Sequence, residues 1–92
     1  MIRSFKDKQT RTLFETGISR RWSAIARVAV RKLVQIDSVI TLDELNAPPG
    51  NRLEALRGDR AGLQSIRVSD QWWICFRWGN DGVYDVEIVD YH

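Results

Sequence analysis

Cysteine, histidine and long apolar runs are scarce in this sequence, and each scarcity excludes a class of protein. The 92 residues include one cysteine, Cys75, and one histidine, His92. Because a single cysteine cannot form an internal disulfide, we expect neither a disulfide-bonded secreted scaffold nor a zinc site, and no metal or cofactor. The longest apolar run, residues 72–76, is far shorter than the roughly 20 residues that cross a membrane.

The composition is typical of one soluble domain. Apolar residues make up 43% of the chain and charged residues 28%, which is ordinary for a globular protein. A chain of this length has room for a single modest core, so we expect one domain over residues 1–92. The first segment is polar and basic and lacks the apolar stretch of a secretory signal, which predicts a cytoplasmic protein with no membrane partner.

The two signs of charge are unevenly distributed, although the net charge is only +2. Residues 1–80 carry fourteen basic and eight acidic side chains, whereas residues 81–92 carry four acids and no Lys or Arg. A basic body attracts polyanions such as nucleic acids. For any single arginine, a solvated surface position is the alternative.

Apolar residues recur at helical spacing in the first half of the chain. Alternation over residues 2–5 predicts a short strand, and residues 7–16 predict a helix that Gly17 ends. A longer helix is expected over residues 22–39, with Ser23 as its N-cap. Its core face comprises Trp22, Ile25, Ala29, Leu33 and Ile36, and its other faces carry Arg27, Arg31, Lys32 and Gln35.

The second half changes to a period of two, which is typical of strands. Antiparallel strands are expected over residues 52–56, 65–68, 72–78 and 83–89. Helices followed by a meander of strands define an α+β fold. We therefore expect two N-terminal helices packed on a small, mainly antiparallel β-sheet.

Parity along these strands predicts two different faces of the sheet. The face that packs on the helices is expected to carry Ile66, Val68, Trp72, Ile74, Phe76 and Trp78. The opposite face is expected to carry Arg67, Ser69, Gln71, Trp73 and Arg77. Trp73 has two interpretations: it stacks on a partner such as a nucleic-acid base, or it is half-buried beneath Arg77 or a loop.

The triplet Asp90-Tyr91-His92 concentrates groups that transfer protons. Histidine exchanges protons near neutral pH, and Tyr and Asp are other groups that acid–base catalysis uses. Strict alternation places Tyr91 on the opposite side from Asp90 and His92, so we expect a bend that gathers all three at one surface. Taken alone, these residues also fit an ordinary frayed terminus.

Two motifs in this chain are specific, the L-x-x-L-R-G-D-R loop at residues 53–60, within residues 51–62, and the Asp90-Tyr91-His92 triplet. They occur in order with segments at residues 1–5, 13–17, 65–68, 70–72, 75–76 and 86–89. Together these segments resemble the HigB toxins, the plasmid-maintenance killer branch of the RelE superfamily, and within that branch the GraT-like members. The resemblance spans essentially the whole chain and implies a RelE-like fold.

The resemblance implies the toxin of a type II toxin–antitoxin system. Such a toxin is a ribosome-dependent endoribonuclease that needs no metal, cleaves mRNA in the A site during translation and inhibits growth. The ribose 2′-OH attacks the adjacent phosphate, which leaves a 2′,3′-cyclic phosphate and a 5′-OH. The implied partners are the ribosome, mRNA and a HigA-like helix-turn-helix antitoxin, through which alone the toxin reaches operator DNA.

The same resemblance implies roles for individual residues. His92 would act as general acid or base, and Asp90 would orient its imidazole or tune its pKa. Tyr91 would hydrogen-bond the reacting phosphate or shape the pocket. Arg67 would stabilise the charge that develops on the phosphorane. The residues expected to bind RNA or the ribosome are Arg52, Arg57, Arg60, Gln71 and Trp73.

Two positions depart from the family pattern. Trp73 stands where many relatives have an arginine, and Glu54 stands where some have a histidine. Arg67 would then replace the lost cation, while Trp73 stacks on a base. The alternative function is that of a weakly active or inactive family member, which serves as an RNA-binding or antitoxin-binding co-repressor.

Overall fold

The computed structural model describes residues 1–90, and within this range it is an α+β domain, as expected. Two helices come first, α1 (Lys8–Thr16) and α2 (Ala26–Ser38). An antiparallel sheet of four strands follows, β1 (Glu54–Ala55), β2 (Gln64–Arg67), β3 (Trp73–Trp78) and β4 (Val83–Val89), in that spatial order. Short 3-10 turns occupy Leu42–Asn46, Pro49–Asn51 and Gly58–Arg60. None of the helices in residues 1–90 has the length and apolar character that crossing a membrane requires.

Helix α1 begins and ends as its sequence predicts. The Asp7 side chain accepts a hydrogen bond from the backbone N–H of Thr10 at 3.0 Å, which caps the first turn. At the other end Gly17 adopts the left-handed conformation, and its N–H donates to the Leu13 carbonyl at 2.8 Å. Leu13 is fully buried and Phe14 half-buried, so the predicted inner face of this helix is confirmed.

Helix α2 begins four residues later than predicted, and Ser23 is not its cap. The hydroxyl of Ser19 accepts a hydrogen bond from the backbone N–H of Trp22 at 3.0 Å, and this local contact holds the chain in a turn before the helix. Ser23 is exposed in that turn, and Ile25 precedes the helix without any side-chain cap. The apolar spacing predicts burial of Trp22 correctly, but it cannot distinguish a turn from a first helical turn.

The sheet packs on the helices through one row of isoleucines. Ile66 on β2 pairs with Ile74 on β3, and Ile74 pairs with Ile88 on β4. Ile66 and Ile74 are fully buried, and Ile88 is almost so. They join the core with Leu13, Leu33 and Ile36 from the two helices. The predicted division into a helix-covered face and an opposite face, called here the open face, is therefore confirmed.

A β-bulge changes the phase of β4. The register passes from the Cys75–Glu87 pair to the Arg77–Tyr84 pair, so that two residues of β4 oppose the single residue between them on β3. Asp85, with φ of 57°, takes the left-handed conformation that this extra residue requires. As a result Val83 and Val86, three residues apart, both point into the core.

The outer edge of β4 is covered by the N-terminal segment and α1. Residues 1–6 run parallel to this edge, where Arg3 N donates to the Val83 carbonyl at 2.7 Å and Lys6 N donates to the Val86 carbonyl at 2.9 Å. The predicted strand at residues 2–5 is thus present as two isolated parallel bridges. Further along, the buried Thr10 hydroxyl accepts from Ile88 N at 3.2 Å. These contacts fix the end of β4, two residues before Asp90.

We expect Thr10→Val to destabilise the domain, because it leaves the buried N–H of Ile88 without its acceptor. Stranding a buried donor costs about 1–3 kcal/mol. Urea unfolding at neutral pH measures this loss. The matched control is Thr12→Val on the exposed side of the same helix, for which the free energy of unfolding should stay close to wild type. Equal stability of the two variants would contradict the role assigned to Thr10.

Candidate active site

Four of the predicted site residues, Arg67, Gln71, Trp73 and Asp90, lie at one end of the sheet. Arg67 on β2 lies directly opposite Trp73 on β3, and Trp73 lies opposite Val89 on β4. Side chains of directly paired residues point to the same side of a sheet, so these three form one row. Asp90 follows Val89 immediately, and it is exposed. Tyr91 and His92, together with the predicted bend at the end of the chain, lie outside the described residues.

Arg67 is held by a carboxylate that an anionic ligand can displace. Its guanidinium forms an ion pair with Asp70, three residues along the chain. The Arg67 side chain is 27% exposed, whereas the Asp70 side chain is fully exposed. An ion pair with a fully hydrated partner contributes little to stability. A phosphate could therefore take the place of Asp70, and it would meet a guanidinium that is already positioned.

Gln71 fixes the orientation of Asp90. The Nε2 atom of Gln71 donates to Oδ2 of Asp90 at 3.0 Å. Gln71 stands on a tight turn in which the Ser69 hydroxyl accepts from the backbone N–H groups of Gln71 at 3.3 Å and Trp72 at 3.1 Å. The predicted contact between Gln71 and a nucleotide stays a prediction. The contact that the structure provides is a positioning one, to the acid that precedes Tyr91.

Trp73 is half-buried, as one of its two interpretations requires. It lies between Arg67 and Val89 in the cross-strand row. In the neighbouring row Ser65 and Cys75 are buried even though they face away from the helices. This part of the open face is thus already partly closed, and stacking of Trp73 on a base stays a prediction.

The predicted arginines fall into two separate groups. Arg52 comes two residues before Glu54, which pairs with Ser65, so it enters the sheet at the end that carries Arg67. Arg57 and Arg60 belong to the turn that precedes β2, which begins at Gln64, roughly 10 Å along the strand from Arg67. Their role in binding RNA stays a prediction, and the sheet alone does not bring them to Asp90.

Lys32 is buried, although the sequence predicts an outer position for it on α2. It was expected on an outer face of α2, but it is only 7% exposed, and its ammonium group donates to Oδ1 of Asn51. Asn51 is itself fully buried and donates to the carbonyls of Leu45 at 3.1 Å and Ala47 at 3.2 Å. The spacing could have indicated this burial, because Lys32 follows the buried Ala29 by three residues and so lies on the same face of the helix.

The surroundings of Lys32 disfavour its charged form. Burial lowers its pKa from the ordinary 10.5, and the nearby guanidinium groups of Arg31 and Arg67 lower it further. Lys32 therefore lies close enough to Arg67 for the two charges to interact. The network through Asn51 also ties α2 to the turn that leads into β1.

The fold is that of a RelE-like toxin. The structure resembles the YoeB/ParE toxin from Agrobacterium tumefaciens with a TM-score of 0.50 over 98% of both chains, at 20% sequence identity. A family model described as a RelE-like toxin of the type II toxin-antitoxin system HigB matches residues 3–92.

Curated relatives agree with this family. Endoribonuclease HigB of Proteus vulgaris is 38% identical, and the alignment covers all of both chains. Toxin HigB-1 of Vibrio cholerae is 37% identical over all of this chain and 98% of that protein. The chain belongs to the HigB family of type II toxins, and such a toxin has an antitoxin as its partner. The finer placement among GraT-like members stays a prediction.

We expect Lys32→Met to change how stability depends on pH. A lysine whose pKa is lowered in the folded state binds fewer protons there than in the unfolded chain, so its contribution to stability rises with pH up to about 10.5. The variant loses this rise. Urea unfolding of both proteins between neutral and alkaline pH gives the difference in unfolding free energy, which should move in favour of wild type as pH increases. A difference that does not vary with pH would contradict the account.

Proposed function

We propose that this protein cleaves mRNA in the ribosomal A site during translation, without a metal ion, and thereby inhibits growth. As a member of the HigB family it is an endoribonuclease toxin of a type II system. The observation that carries the finer proposal is that the Arg67–Trp73 pair and the Gln71–Asp90 hydrogen bond lie at the same end of the sheet. Tyr91 and His92 follow directly in the sequence.

The residues at this site provide what in-line RNA cleavage requires. The 2′-oxygen forms a bond to phosphorus as it loses its proton to a base, and the P–O5′ bond breaks as the 5′-oxygen gains a proton. His92 is the proposed acid or base for these transfers, and Asp90, held by Gln71, orients the imidazole. Tyr91 hydrogen-bonds the phosphate. Arg67 exchanges Asp70 for the phosphorane oxygens and stabilises their added charge.

The proposed partners follow from the same assignment. The antitoxin is of the HigA helix-turn-helix type, and operator DNA is reached only through it. The ribosome presents the mRNA, and Arg52, Arg57 and Arg60 bind RNA phosphates. The protein acts in the cytoplasm, where translation takes place.

A second candidate function is that of an inactive antitoxin-binding module. The observation that favours it is the state of Arg67, which is already ion-paired, beside a tryptophan instead of a second cation. Such a module would bind its antitoxin and act as co-repressor without cutting RNA. The two functions differ in one measurable property, which is cleavage of mRNA by the wild-type protein.

We expect Arg67→Ala to lower the rate of mRNA cleavage by roughly 10²–10³, the usual effect of removing one donor that stabilises transition-state charge. His92→Gln should lower the cleavage rate at least as much, because glutamine cannot act as the general acid or base. The rates are measured on a defined mRNA in a purified translation system, and growth arrest on expression without antitoxin provides the cellular counterpart.

The matched control is Arg77→Ala. Arg77 also lies on the open face in an ion pair, with Asp85 at 3.4 Å, but it belongs to the far end of β3. This variant should cleave at close to the wild-type rate. Full activity of Arg67→Ala and His92→Gln would refute the proposed mechanism, and no cleavage by wild type would favour the inactive module.

A further inference from the structure

Positive charge in this protein is concentrated on the helical layer rather than on the sheet. Residues 1–32 carry nine basic and two acidic side chains, a balance of +7. Residues 33–92 carry five basic and ten acidic side chains, a balance of −5. Residues 33–92, which include the whole sheet, therefore repel a polyanion overall. RNA that reaches Arg67 must gain most of its electrostatic attraction from the helical side.

The helical side contains a groove in which these cations converge. It has a volume of about 370 Å³ and lies between α1 and the segment at residues 18–21. Lys8, Arg20 and Arg21 line it, and no acidic residue among residues 1–90 does. Gln9 and Thr12 add polar groups, and Ile18, which is 73% exposed, provides an apolar wall. Most of the exposed lining is apolar, and the charged and polar groups of these side chains and of Ser19 could contact the phosphates and sugars of a nucleic-acid backbone.

Arg21 connects this groove to the active site. Its guanidinium donates to Oε1 of Gln9 at 2.7 Å and lies over the rings of Trp22 at 4.9 Å and Trp72 at 5.6 Å. Trp72 is the neighbour of Gln71, whose amide holds Asp90. The contact between Arg21 and Trp72 thus places the groove next to the turn that carries Gln71.

We propose that this groove binds the phosphate backbone of RNA next to the site of cleavage, through Lys8, Arg20 and Arg21. The inference rests on the proposed function for the presence of RNA at the site. The position of the groove next to the turn that carries Gln71 favours RNA over an acidic protein segment, because a strand that occupies the active site must leave it across an adjacent surface. The RNA is either the mRNA itself or ribosomal RNA, and both offer the same phosphodiester chemistry.

The test is the salt dependence of RNA binding by Lys8→Gln/Arg20→Gln. Both side chains are exposed, and neither change disturbs Arg21 or its stacking. One probe is a labelled single-stranded RNA with 2′-O-methyl groups, which cannot be cleaved. The other is a ribosome carrying an mRNA that is methylated in the same way. The double variant should bind more weakly, and the slope of log affinity against log salt should fall by about 1.4 for two contacts to single-stranded RNA.

The matched control is Arg11→Gln/Arg27→Gln, which removes the same charge from exposed positions of α1 and α2 outside the groove. Its slope should remain near that of wild type. Weaker binding of the groove variant to both probes supports an mRNA contact, and weaker binding to the ribosome alone supports a contact with ribosomal RNA.

The proposal is overturned if the groove variant and the control bind both probes alike. It is also overturned if the groove variant loses affinity only for the purified antitoxin, which would make the groove a protein-docking surface. These readouts report binding and do not require catalysis. Failure of wild type to cleave mRNA would therefore count against the proposed function while the groove could still be confirmed.

Discussion

The pairing of Ile66, Ile74 and Ile88 across three strands is the constraint on which the rest of the molecule depends. Since side chains alternate along a strand, burying this row against the helices forces its neighbours onto the other face. The neighbouring row is Arg67, Trp73 and Val89. A slip of one residue in the register would exchange the two rows and would bury the arginine. The geometry of the site is thus a consequence of how the core is packed.

The sheet and the helices also carry different charges. The sheet supplies one half-buried arginine, held by an exposed acid, at the point where charge develops during RNA cleavage. The helical layer supplies the general attraction for a polyanion, through side chains that lie far from the core. Lys32 belongs to neither group, because it is buried on α2 and meets the neutral Asn51. Burial and the neighbouring charges of Arg31 and Arg67 lower the pKa of Lys32.

The sequence was sufficient to predict features that depend on local chemistry. Asp7 and Gly17 mark the two ends of α1, and strand alternation assigns the two faces of β3 correctly. The sequence-based predictions were wrong where a contact between distant residues, or a side chain that bonds the local backbone, determines the structure. The Ser19 hydroxyl delays the start of α2, and Asn51 draws Lys32 inward although the two are 19 residues apart.

In the active site, too, some features follow from the sequence pattern and others depend on tertiary contacts. Parity places Arg67 and Trp73 in one row, and the structure adds the ion pair of Arg67 with Asp70 and the hydrogen bond from Gln71 to Asp90. Neither contact follows from alternation, because Asp70 and Gln71 stand on the turn between two strands. The groove around Arg21 also depends on tertiary packing, since it lies between α1 and the following segment. Arg21 in turn stacks on Trp72, which is distant in the sequence.

The most direct measurement is a map of RNA ends after wild-type protein is added to a translating extract with a defined mRNA. Cleavage by the proposed mechanism yields fragments whose upstream pieces carry 2′,3′-cyclic phosphates and whose downstream pieces carry 5′-OH groups. The cuts should fall within the codon in the A site and should be absent when ribosomes are omitted. Cuts that carry 5′-phosphates, cuts that appear equally without ribosomes, or an intact mRNA would contradict the account.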